Sequence, residues 1–565
     1  MPLPLSSKQT NTFHALQFVI ALFIIFILLV IPNRISWMNA QSFVFLPLEL
    51  MLLGLVLLVP GRTGKWLKAV AATLLAAGVI FKIADIAAYQ VFARPFNPVF
   101  DLYLLADGMN LLTGAIGRIG AWFVAALLIA VTVGIVALSF VLLRTLQTGL
   151  KTHHHKARVI LPIALLGWFL LPLAGWHRAS HAFYDNLSEH FTSTLNSIAD
   201  IKSFRTAVNI DSYAATPAGK LFEKLAGKDV MVIFLESYGR VVLDDPAFAS
   251  HVKPVLEQGS AELEANGLHV RSTFLTSPTV GGISWLAHGT LLSGLWIDSQ
   301  VRYDSLMMSE RPSFNRLFKN AGWRTVAVMP AISMDWPEGD YFGYDQVYGA
   351  RDLGYQGKPF NWVTMPDQYV LSSFQAIERK DETRAPVMAE LALISSHAPW
   401  TPVPFMVPWQ AVGDGSIFNE QASAGDSPEV IWQDPERIKE QYRKSIEYAV
   451  ANLVSYAINY GDDNLVMLII GDHQPAPLVT GDLTNHDVPV HLIARDPAVM
   501  AAIEDWQWSD GLIPAQDAPV WRMDELRNRF IAAFSLTSPV AVSALIPLEQ
   551  NQTVEEEVGS ASISR

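Results

Sequence analysis

The chain carries the run LVMLIIGDHQP at residues 465–475. Its unbroken apolar residues predict a buried β-strand, which delivers Asp472 and His473 to the loop that follows. A second run of the same kind, VMVIFLESY at residues 230–238, carries Glu236 at its end. Carboxylates and imidazoles at strand ends are common ligands of zinc and manganese. The two runs together therefore predict a metalloenzyme.

The same pattern continues from Lys228 onwards, where short apolar runs alternate with amphipathic helices. The predicted strands are Val230–Leu235, Thr325–Met329, Val387–Ile394, Leu465–Ile470 and Val488–Ala494, and the predicted helices include Pro312–Ala321 and Pro435–Tyr460. This alternation is typical of an α/β domain with a mixed or mainly parallel sheet. Open α/β sheets bind ligands at the carboxyl ends of their strands, which is where Glu236, His397 and Asp472 fall.

The first third of the chain has a different composition. Overall, 51% of the residues are hydrophobic and the mean hydropathy is +0.26, which is high for a soluble protein. Near-continuous apolar stretches lie at 15–32, 42–60, 67–91, 120–143 and 158–176. Each is close to the ~20 residues that a membrane-spanning helix needs. The sequence therefore predicts about five spans, of which the third is interrupted by Lys82 and Asp85.

Basic residues in the connecting loops indicate the orientation of these spans. Lys65 and Lys68 flank the second and third spans, and Lys151 and Lys156 flank the fourth and fifth. Such loops stay in the cytoplasm, so an odd number of spans places everything after Trp176 on the other side. We therefore predict a multi-pass protein of a bacterial cytoplasmic membrane, with its later domain facing the periplasm or the exterior.

Charge also divides the chain. Residues 1–180 contain 13 Lys and Arg and 4 Asp and Glu, whereas the remainder contains 27 and 49. An acidic outer domain argues against a nucleic-acid partner, because nucleic-acid binders present basic faces. The chain has no cysteine, so the outer domain must be stable without disulfides. The predicted organisation is a transmembrane domain (1–176), a helical linker (177–227), a catalytic domain (228–549) and a disordered tail (550–565).

A possible nucleophile lies in the run FLTSPTVGGISWLAHGT at residues 274–290. Gly281 and Gly282 permit a tight backbone turn just before Ser284, and the apolar spacing after Ser284 predicts a helix. Ser284 would then lie at a helix N-terminus, where N–H groups and the helix dipole favour phosphate oxygens. A serine in this position can also be an N-cap residue without any chemistry.

Four motifs occur here in the order seen in one known family. They are the strand followed by Leu-Glu-Ser (235–237), Gly-x-Ser opening a helix (282–284), Ser-Ser-His-Ala-Pro-Trp (395–400) and Gly-Asp-His-Gln-Pro (471–475). In this order they resemble the lipoteichoic acid synthase and phosphoglycerol transferase branch of the alkaline phosphatase and sulfatase superfamily. The stretch Phe342-Gly-Tyr-Asp345 and the membrane part are also similar to that branch. The resemblance implies a transmembrane domain followed by an extracytoplasmic alkaline-phosphatase-like (sulfatase-like) α/β domain.

The resemblance also implies roles for individual residues. The implied ligands of a divalent ion, Zn or Mn, are Glu236, Ser284, Asp472 and His473, with Ser284 as the phosphorylated nucleophile. Because the nucleophile of this family is more often threonine, Thr279 is a rival to Ser284. The implied substrate contacts are His397, which could also act as an acid or base, Asp335, Trp336 and His486. For His486 a second metal, a phosphate contact and a plain hydrogen bond to backbone all remain open.

Three functions follow from these assignments. The first is transfer of a phospholipid headgroup, phosphoglycerol or phosphoethanolamine, through a phospho-Ser284 intermediate onto an envelope glycan or lipid. The second is hydrolysis by a membrane-anchored phosphodiesterase or phosphatase of the same superfamily, and the third is a non-catalytic envelope scaffold. Sulfatase activity is disfavoured because Trp-Leu-Ala-His follows Ser284 in place of the C/S-x-P-x-R sequence that a sulfatase needs. Catalysis is preferred over a scaffold, since all four implied ligands have side chains able to coordinate a cation. Transfer is preferred over hydrolysis, because a membrane-tethered domain close to the outer leaflet can draw its donor from a phospholipid.

Overall fold

The computed structural model describes residues 7–102, 104–170, 179–381, 383–481 and 485–536. They fall into two compact units. The first lies within Met1–Gln90 and Arg94–Asp200, and the second lies within Val91–Ala93 and Ile201–Arg565. The predicted disordered tail (550–565) lies outside the described residues.

The first unit is helical. Its helices are α1 (Ser7–Val30), α2 (Leu48–Leu58), α3 (Gly61–Phe92), α4 (Pro98–Asp101), α5 (Leu104–Thr152), α6 (His154–Leu170) and α7 (Ala182–Ala207), except that the last two residues of α3 and the part of α7 from Ile201 onwards belong to the second unit. Two short strands, β1 (Leu46–Pro47) and β2 (Ala179–Ser180), pair in parallel. Apolar side chains of α1, α2, α3 and α5 form the core of this unit, including Ile25, Leu57, Leu75 and Leu146.

Three helices are long and apolar enough to cross a membrane: Phe13–Val30, Gly61–Phe92 and Ile116–Thr152. Helix α2, in the second predicted span, has 11 residues and measures about 16 Å, half of the ~30 Å hydrocarbon layer. Helix α6, in the fifth predicted span, has 17 described residues, and residues 171–178 lie outside the description. The count of five spans therefore remains a prediction.

The charged residues that interrupt the third predicted span are buried in this unit. Lys82 Nζ donates to the carbonyl oxygens of Leu29 and Ile31, at 2.8 Å each, where α1 ends. The Asp85 carboxylate accepts hydrogen bonds from Asn186 (2.9 Å) and from the Phe96 amide (3.0 Å). Each charge is thus satisfied by polar groups inside the helical unit.

The second unit is built on a nine-stranded sheet. Its strands are β3 (Asp229–Leu235), β4 (His269–Thr276), β5 (Arg324–Met329), β6 (Gln346–Gly349), β7 (Val387–Leu393), β8 (Leu465–Gly471), β9 (Asp487–Ala494), β10 (Ser509–Asp510) and β11 (Val520–Arg522). The strand order is β10-β4-β9-β8-β3-β7-β5-β6, and β11 pairs with β4. The block β8-β3-β7-β5-β6 is parallel, whereas β9 runs antiparallel to both β8 and β4. All five predicted strands are confirmed, and the sheet is mixed as predicted.

Helices cover both faces of this sheet. They are α8 (Val241–Asp244), α9 (Pro246–Ala265), α10 (Ser284–Ser293), α11 (Gln300–Met307), α12 (Phe314–Asn320), α13 (Gly339–Phe342), α14 (Asp367–Phe374), α15 (Pro428–Ile431), α16 (Pro435–Tyr460), α17 (Pro477–Thr480), α18 (Pro497–Ala501) and α19 (Met523–Phe534). Alternate residues of β3 enter different cores, because successive side chains of a strand point to opposite faces. Ile233 packs with α9, α14 and α16, and Val232 packs with α10, α12 and α19. Burial on both faces explains why β3 and β8 are apolar throughout.

Gly471, the last residue of β8, approaches another backbone segment closely. A Cβ atom at this position would lie 2.0 Å from the carbonyl oxygen of Tyr238. We expect Gly471→Ala to destabilise the second unit by about 3 kcal/mol, the upper end of the usual cost of overpacking. Thermal unfolding of the full-length protein in detergent would measure this. Gly219→Ala is the control, because no atom of the described residues lies within 4 Å of the added Cβ. An unchanged thermal unfolding midpoint for Gly471→Ala would contradict the expectation.

Candidate functional site

The register of the sheet brings Glu236 and Asp472 together. Strands β3 and β8 are parallel neighbours, and Leu235 of one is paired with Gly471 of the other. The next residue of each strand is therefore a carboxylate at the same edge of the sheet. The Asp472 amide donates to the Leu235 carbonyl at 3.3 Å, which keeps the two strand ends adjacent. Strand pairing thus brings Glu236 and Asp472 together, although they are more than 200 positions apart in the sequence.

Glu236, Asp472 and His473 form one buried cluster. Each offers a ligand atom, and these atoms all lie within 4.8 Å of one another. His473 Nε2 lies 3.3 Å from Glu236 Oε1 and 3.6 Å from Asp472 Oδ2. Two carboxylates and an imidazole thus face a common point, in the arrangement that divalent cations require.

Ser284 completes the group. It is the first residue of α10, and its Oγ lies 3.1 Å from Glu236 Oε2 and 3.2 Å from His473 Nε2. The left-handed conformation at Gly281 (φ +77°) turns the chain towards the sheet before α10 begins. The Gly281 amide then donates to the Gln474 carbonyl at 2.8 Å, which ties the loop before Ser284 to the loop after His473.

Thr279, the rival to Ser284, lies in the same loop. Its hydroxyl donates to the Gly282 carbonyl at 2.8 Å. The hydroxyl that reaches Glu236 and His473 is that of Ser284.

Local hydrogen bonds fix the orientation of the ligand side chains. Asp472 Oδ1 accepts the amide N–H groups of Ser237 and His473, at 2.7 Å each. His473 Nδ1 lies 2.8 Å from the Gln474 carbonyl oxygen. Because a carbonyl can only accept, Nδ1 must carry a proton, which leaves Nε2 as the nitrogen that faces the cluster. This is the outer-shell arrangement typical of a metal-binding histidine.

The ionisation of these groups is tightly coupled. Burial raises the pKa of Asp472 to about 6, and the neighbouring charge of Glu236 adds to the effect. Burial would lower the pKa of His473, but the charge of Asp472 and a hydrogen bond to Glu236 outweigh it and raise that pKa to about 9. Burial would raise the pKa of Glu236, yet the positive charges of His397 and His473 hold it below its usual value. Glu236 and His473 thus hold each other in their charged forms, whereas burial and the charge of Glu236 oppose the ionisation of Asp472.

The residues present fit a divalent cation. With His473 in the tautomer set by Gln474, Nε2 and Glu236 Oε1 are two lone-pair atoms only 3.3 Å apart. Such a pair is unfavourable unless a proton or a metal ion lies between them. Glu236, Ser284, Asp472 and His473 would hold that ion, and their oxygen and nitrogen donors suit Zn or Mn.

His397 lies next to this cluster on the loop after β7. The Ser396 hydroxyl donates to the Glu236 carbonyl at 2.5 Å, and the charge of His397 acts on Glu236. The imidazole is exposed, and its Nδ1 donates to the Ala398 carbonyl at 2.6 Å. Nε2 of His397 is therefore the nitrogen available to a substrate.

The structure places the other predicted substrate contacts, Asp335, Trp336 and His486, outside the group formed by Glu236, Ser284, Asp472 and His473. Asp335 is exposed, and Trp336 packs against Phe342 with ring centroids 5.8 Å apart. Among the described residues, no hydrogen bond joins Asp335 or Trp336 to Glu236, Ser284, Asp472 or His473. His486 Nδ1 lies 3.3 Å from the Ser277 carbonyl, and the Ser277 hydroxyl donates to the Asp472 carbonyl at 2.5 Å. His486 is thus connected to Asp472 through one intervening residue.

The buried Glu390 and the half-buried His288 form a pair that was missed by the sequence analysis. His288 lies one helical turn after Ser284 on α10, and its Nδ1 donates to Glu390 Oε1 at 2.7 Å. Its ring stacks on Phe234, with centroids 3.7 Å apart, and its charge acts on Asp472. Glu390 is 1% exposed in the middle of β7, and Tyr344 and Asn315 also donate to it. A single carboxylate inside the apolar run VMAELAL (387–393) was the sequence signal.

Asp367 is a second buried carboxylate behind the site. Its Oδ1 accepts the Ser395 amide at 3.0 Å, whereas Oδ2 has no hydrogen-bond partner among the residues that the structure describes. Burial raises its pKa to about 7 from 3.8. Between these two values the folded protein holds a proton that the unfolded chain releases, so this group makes stability fall as pH rises from about 4 to about 7.

We expect Asp367→Asn to stabilise the protein at pH 8 and to have little effect at pH 4. The amide mimics the protonated acid. We expect the free energy of unfolding at pH 8 to rise by about 2 kcal/mol, which is below the limit of about 4 kcal/mol set by the difference between the pKa values of the folded and unfolded states. The measurement is the difference in unfolding midpoint between variant and wild type at the two pH values, which cancels the titration of other groups. A difference that does not depend on pH would contradict the assignment.

Comparison with known proteins gives structural similarity at low sequence identity. The chain is similar to the lipoteichoic acid synthase LtaP of Listeria monocytogenes (13% identity, 60% of this chain and 79% of that one, TM-score 0.37). It is similar to the phosphoglycerol transferase GacH of Streptococcus pyogenes in complex with sn-glycerol-1-phosphate (12%, 65% and 87%, 0.37). It is also similar to the periplasmic domain of EptC from Escherichia coli in complex with Zn (14%, 56% and 84%, 0.37). No protein-family model matches the chain, and no curated protein sequence matches it.

Proposed function

We propose that this protein is a metal-dependent transferase that moves a phospholipid headgroup, phosphoglycerol or phosphoethanolamine, onto an acceptor in the cell envelope. The observation that supports this most directly is the position of the Ser284 hydroxyl. It lies at a helix N-terminus, 3.1 Å from Glu236 and 3.2 Å from His473. An alcohol between a carboxylate and an imidazole can give up its proton, and a helix N-terminus favours phosphate oxygens.

The first half of the proposed reaction is attack on the donor. Ser284 Oγ forms a bond to the phosphorus of the phospholipid, and the bond from phosphorus to the diacylglycerol oxygen breaks. Diacylglycerol leaves with a proton, and the headgroup remains as a phosphodiester on Ser284. A bound divalent cation would stabilise the negative charge on the phosphate oxygens during transfer. Glu236, Asp472 and His473 would hold it and keep Ser284 in position.

The second half is attack by the acceptor. Its hydroxyl group forms a bond to the same phosphorus, the bond to Ser284 breaks, and the serine recovers its proton. His397 is suited to acid and base work in both halves. Its Nδ1 is committed to the Ala398 carbonyl, the ring is exposed, and Nε2 can accept or return a proton.

The setting of the reaction follows from the membrane part. Three helices that are long and apolar enough to span a bilayer are consistent with a phospholipid donor. We propose five spans, a cytoplasmic N-terminus and a second unit on the periplasmic or outer side, in line with the basic loops of the first unit. The donor would then be drawn from the outer leaflet of the cytoplasmic membrane.

The experiment that tests this proposal uses the purified full-length protein in detergent. It is incubated with Mn²⁺ or Zn²⁺ and either phosphatidylglycerol or phosphatidylethanolamine. Intact-mass spectrometry should detect a phosphoglycerol or phosphoethanolamine adduct, and diacylglycerol should be released in equal amount. Release that continues without any acceptor would identify a phosphodiesterase instead. Absence of both adduct and release with every phospholipid would contradict the proposal and favour a scaffold.

A further inference from the structure

The loop that carries His397 also supports a pair of stacked indole rings. Trp400 lies three residues after His397, and its amide donates to the His397 carbonyl at 3.3 Å. The Trp400 and Trp432 rings are parallel within 14°, with centroids 6.0 Å apart. Trp400 is 5% exposed and Trp432 is 44% exposed. One ring is therefore buried as a support, and the other presents its surface to solvent.

This indole pair is held rigidly. Trp400 Nε1 donates to the Ser396 carbonyl at 2.7 Å, and Trp432 Nε1 donates to the Pro399 carbonyl at 3.2 Å. Tyr442 contacts the Trp400 ring edge to face at 5.6 Å. Trp400 also has a left-handed backbone conformation (φ +57°), which a bulky residue adopts only when its surroundings impose it. Fixing the exposed Trp432 ring costs side-chain conformational entropy, and a binding function of that ring would explain why the cost is tolerated.

The chain segment that carries the exposed ring also carries charged groups. Asp426 and Arg437 form an ion pair that closes the chain segment 426–437, which carries Trp432. The Asp426 carbonyl accepts the Thr401 hydroxyl at 2.9 Å, which joins this segment to the His397 loop. The Trp432 ring and the Asp426 carbonyl thus both contact residues 399–401, and an aromatic face on a segment with charged donors and acceptors suits a ligand that is apolar on one face and polar at its rim. Lipid hydrocarbon fits this segment poorly, because covering it with hydrocarbon would remove the Asp426–Arg437 ion pair from water, which costs free energy.

We propose that Trp432 is the floor of an acceptor subsite for a glycan. A hexopyranose ring presents C–H groups on one face, which suit the negative face of an indole, and hydroxyl groups at its edge, which suit Asp426 and Arg437. The sugar would lie beside His397, the residue assigned to proton transfer with the acceptor. The inference rests on the proposed transfer reaction and narrows its acceptor from glycan or lipid to glycan.

The test separates donor chemistry from acceptor binding. Binding of linear glucose hexasaccharides (cellohexaose, laminarihexaose and maltohexaose) to the full-length protein is measured by isothermal titration without any phospholipid. We expect one of them to bind and Trp432→Ala to weaken binding about tenfold, the value of one good aromatic contact. Trp432→Phe should recover most of the affinity. Phe405→Ala, which removes another exposed aromatic side chain of the same unit (62% exposed), is the control and should bind normally.

The Ser284 adduct is the second readout. Trp432→Ala should form the headgroup adduct at the wild-type level, which also shows that the variant is folded, while transfer of the headgroup to the bound hexasaccharide falls about tenfold. Equal binding and transfer by wild type and Trp432→Ala would overturn the glycan subsite, as would no binding of any hexasaccharide. Loss of binding to phosphatidylglycerol vesicles in place of hexasaccharides would make Trp432 a membrane contact and would also overturn it. Hexasaccharide binding without any adduct would contradict the proposed transfer and leave the subsite standing.

Discussion

Replacing Ser284 with alanine is expected to abolish the headgroup adduct and to lower diacylglycerol release by about three orders of magnitude or more, as loss of a nucleophile does in other covalent enzymes. The physical reason is that Ser284 Oγ is the hydroxyl that reaches both Glu236 and His473. The variant should remain folded, because it loses one hydroxyl group and α10 keeps its backbone. Intact-mass spectrometry and diacylglycerol assays, run in parallel with wild type, measure the two effects.

Thr279→Ala provides the matched control for this result. It removes a hydroxyl from the same loop, but one that donates to the Gly282 carbonyl. We expect it to lose about 1 kcal/mol of stability, as for a typical hydrogen bond, and to keep the adduct. An adduct that survives Ser284→Ala and disappears in Thr279→Ala would assign the nucleophile to Thr279.

The second large effect is expected at the proposed metal ligands. Asp472→Asn keeps an oxygen that can accept the Ser237 and His473 amides but removes a negative charge from the cluster. We expect its affinity for Mn²⁺ or Zn²⁺ to fall by at least about a hundredfold, since even the loss of an outer-shell partner can cost that much. Competition with a fluorescent chelator measures the affinity without any activity assay. Asp367→Asn is the control, because it removes a buried carboxylate that lies outside the cluster.

The affinity of the wild-type protein for Mn²⁺ or Zn²⁺ should also depend on pH, in a defined direction. A cation must displace the proton of His473, whose pKa is raised to about 9. Affinity should therefore rise as pH rises from 6 to 9, by up to about tenfold per unit, because protons compete less. An affinity that is flat over this range would show that His473 is not a ligand. Unchanged binding by Asp472→Asn would remove Asp472 from the site.

The elements that the sequence predicted well have local signals. Helix α16 begins and ends as predicted, at Pro435 and Tyr460. Asp434 is its N-cap and accepts the Glu436 amide at 3.0 Å, Pro435 occupies the first turn, and Gly461 follows the end. Strands β3 and β8 were equally clear, because both faces of each strand are buried. Helix α12 was predicted two residues early, since the N-cap is Ser313 and Pro312 precedes it.

The elements that the sequence missed depend on distant partners. Strand β4 contains Ser272 and Thr273, whose polarity hid a buried strand. In the fold, Ser272 Oγ bonds to His491 at 2.7 Å, and Thr273 bonds to the Pro519 carbonyl. His288 and Glu390 were missed for the same reason, because neither has a local partner. The four residues of the predicted metal-binding group lie together in space, whereas their roles in binding and catalysis remain predictions.

Strand β3 occupies the centre of the sheet, and this position has a consequence for biosynthesis. Its partners β7 and β8 begin at Val387 and Leu465, so β3 leaves the ribosome long before either of them exists. Contacts that are so distant in sequence form late. Glu236 and Ser284 are therefore synthesised well before Asp472 and His473, and the four residues cannot come together until most of the chain has been made. In the proposed orientation, a chain in transit across the membrane would not yet have brought Glu236, Ser284, Asp472 and His473 together, and the proposed nucleophile Ser284 would lack its partners until the second unit has folded.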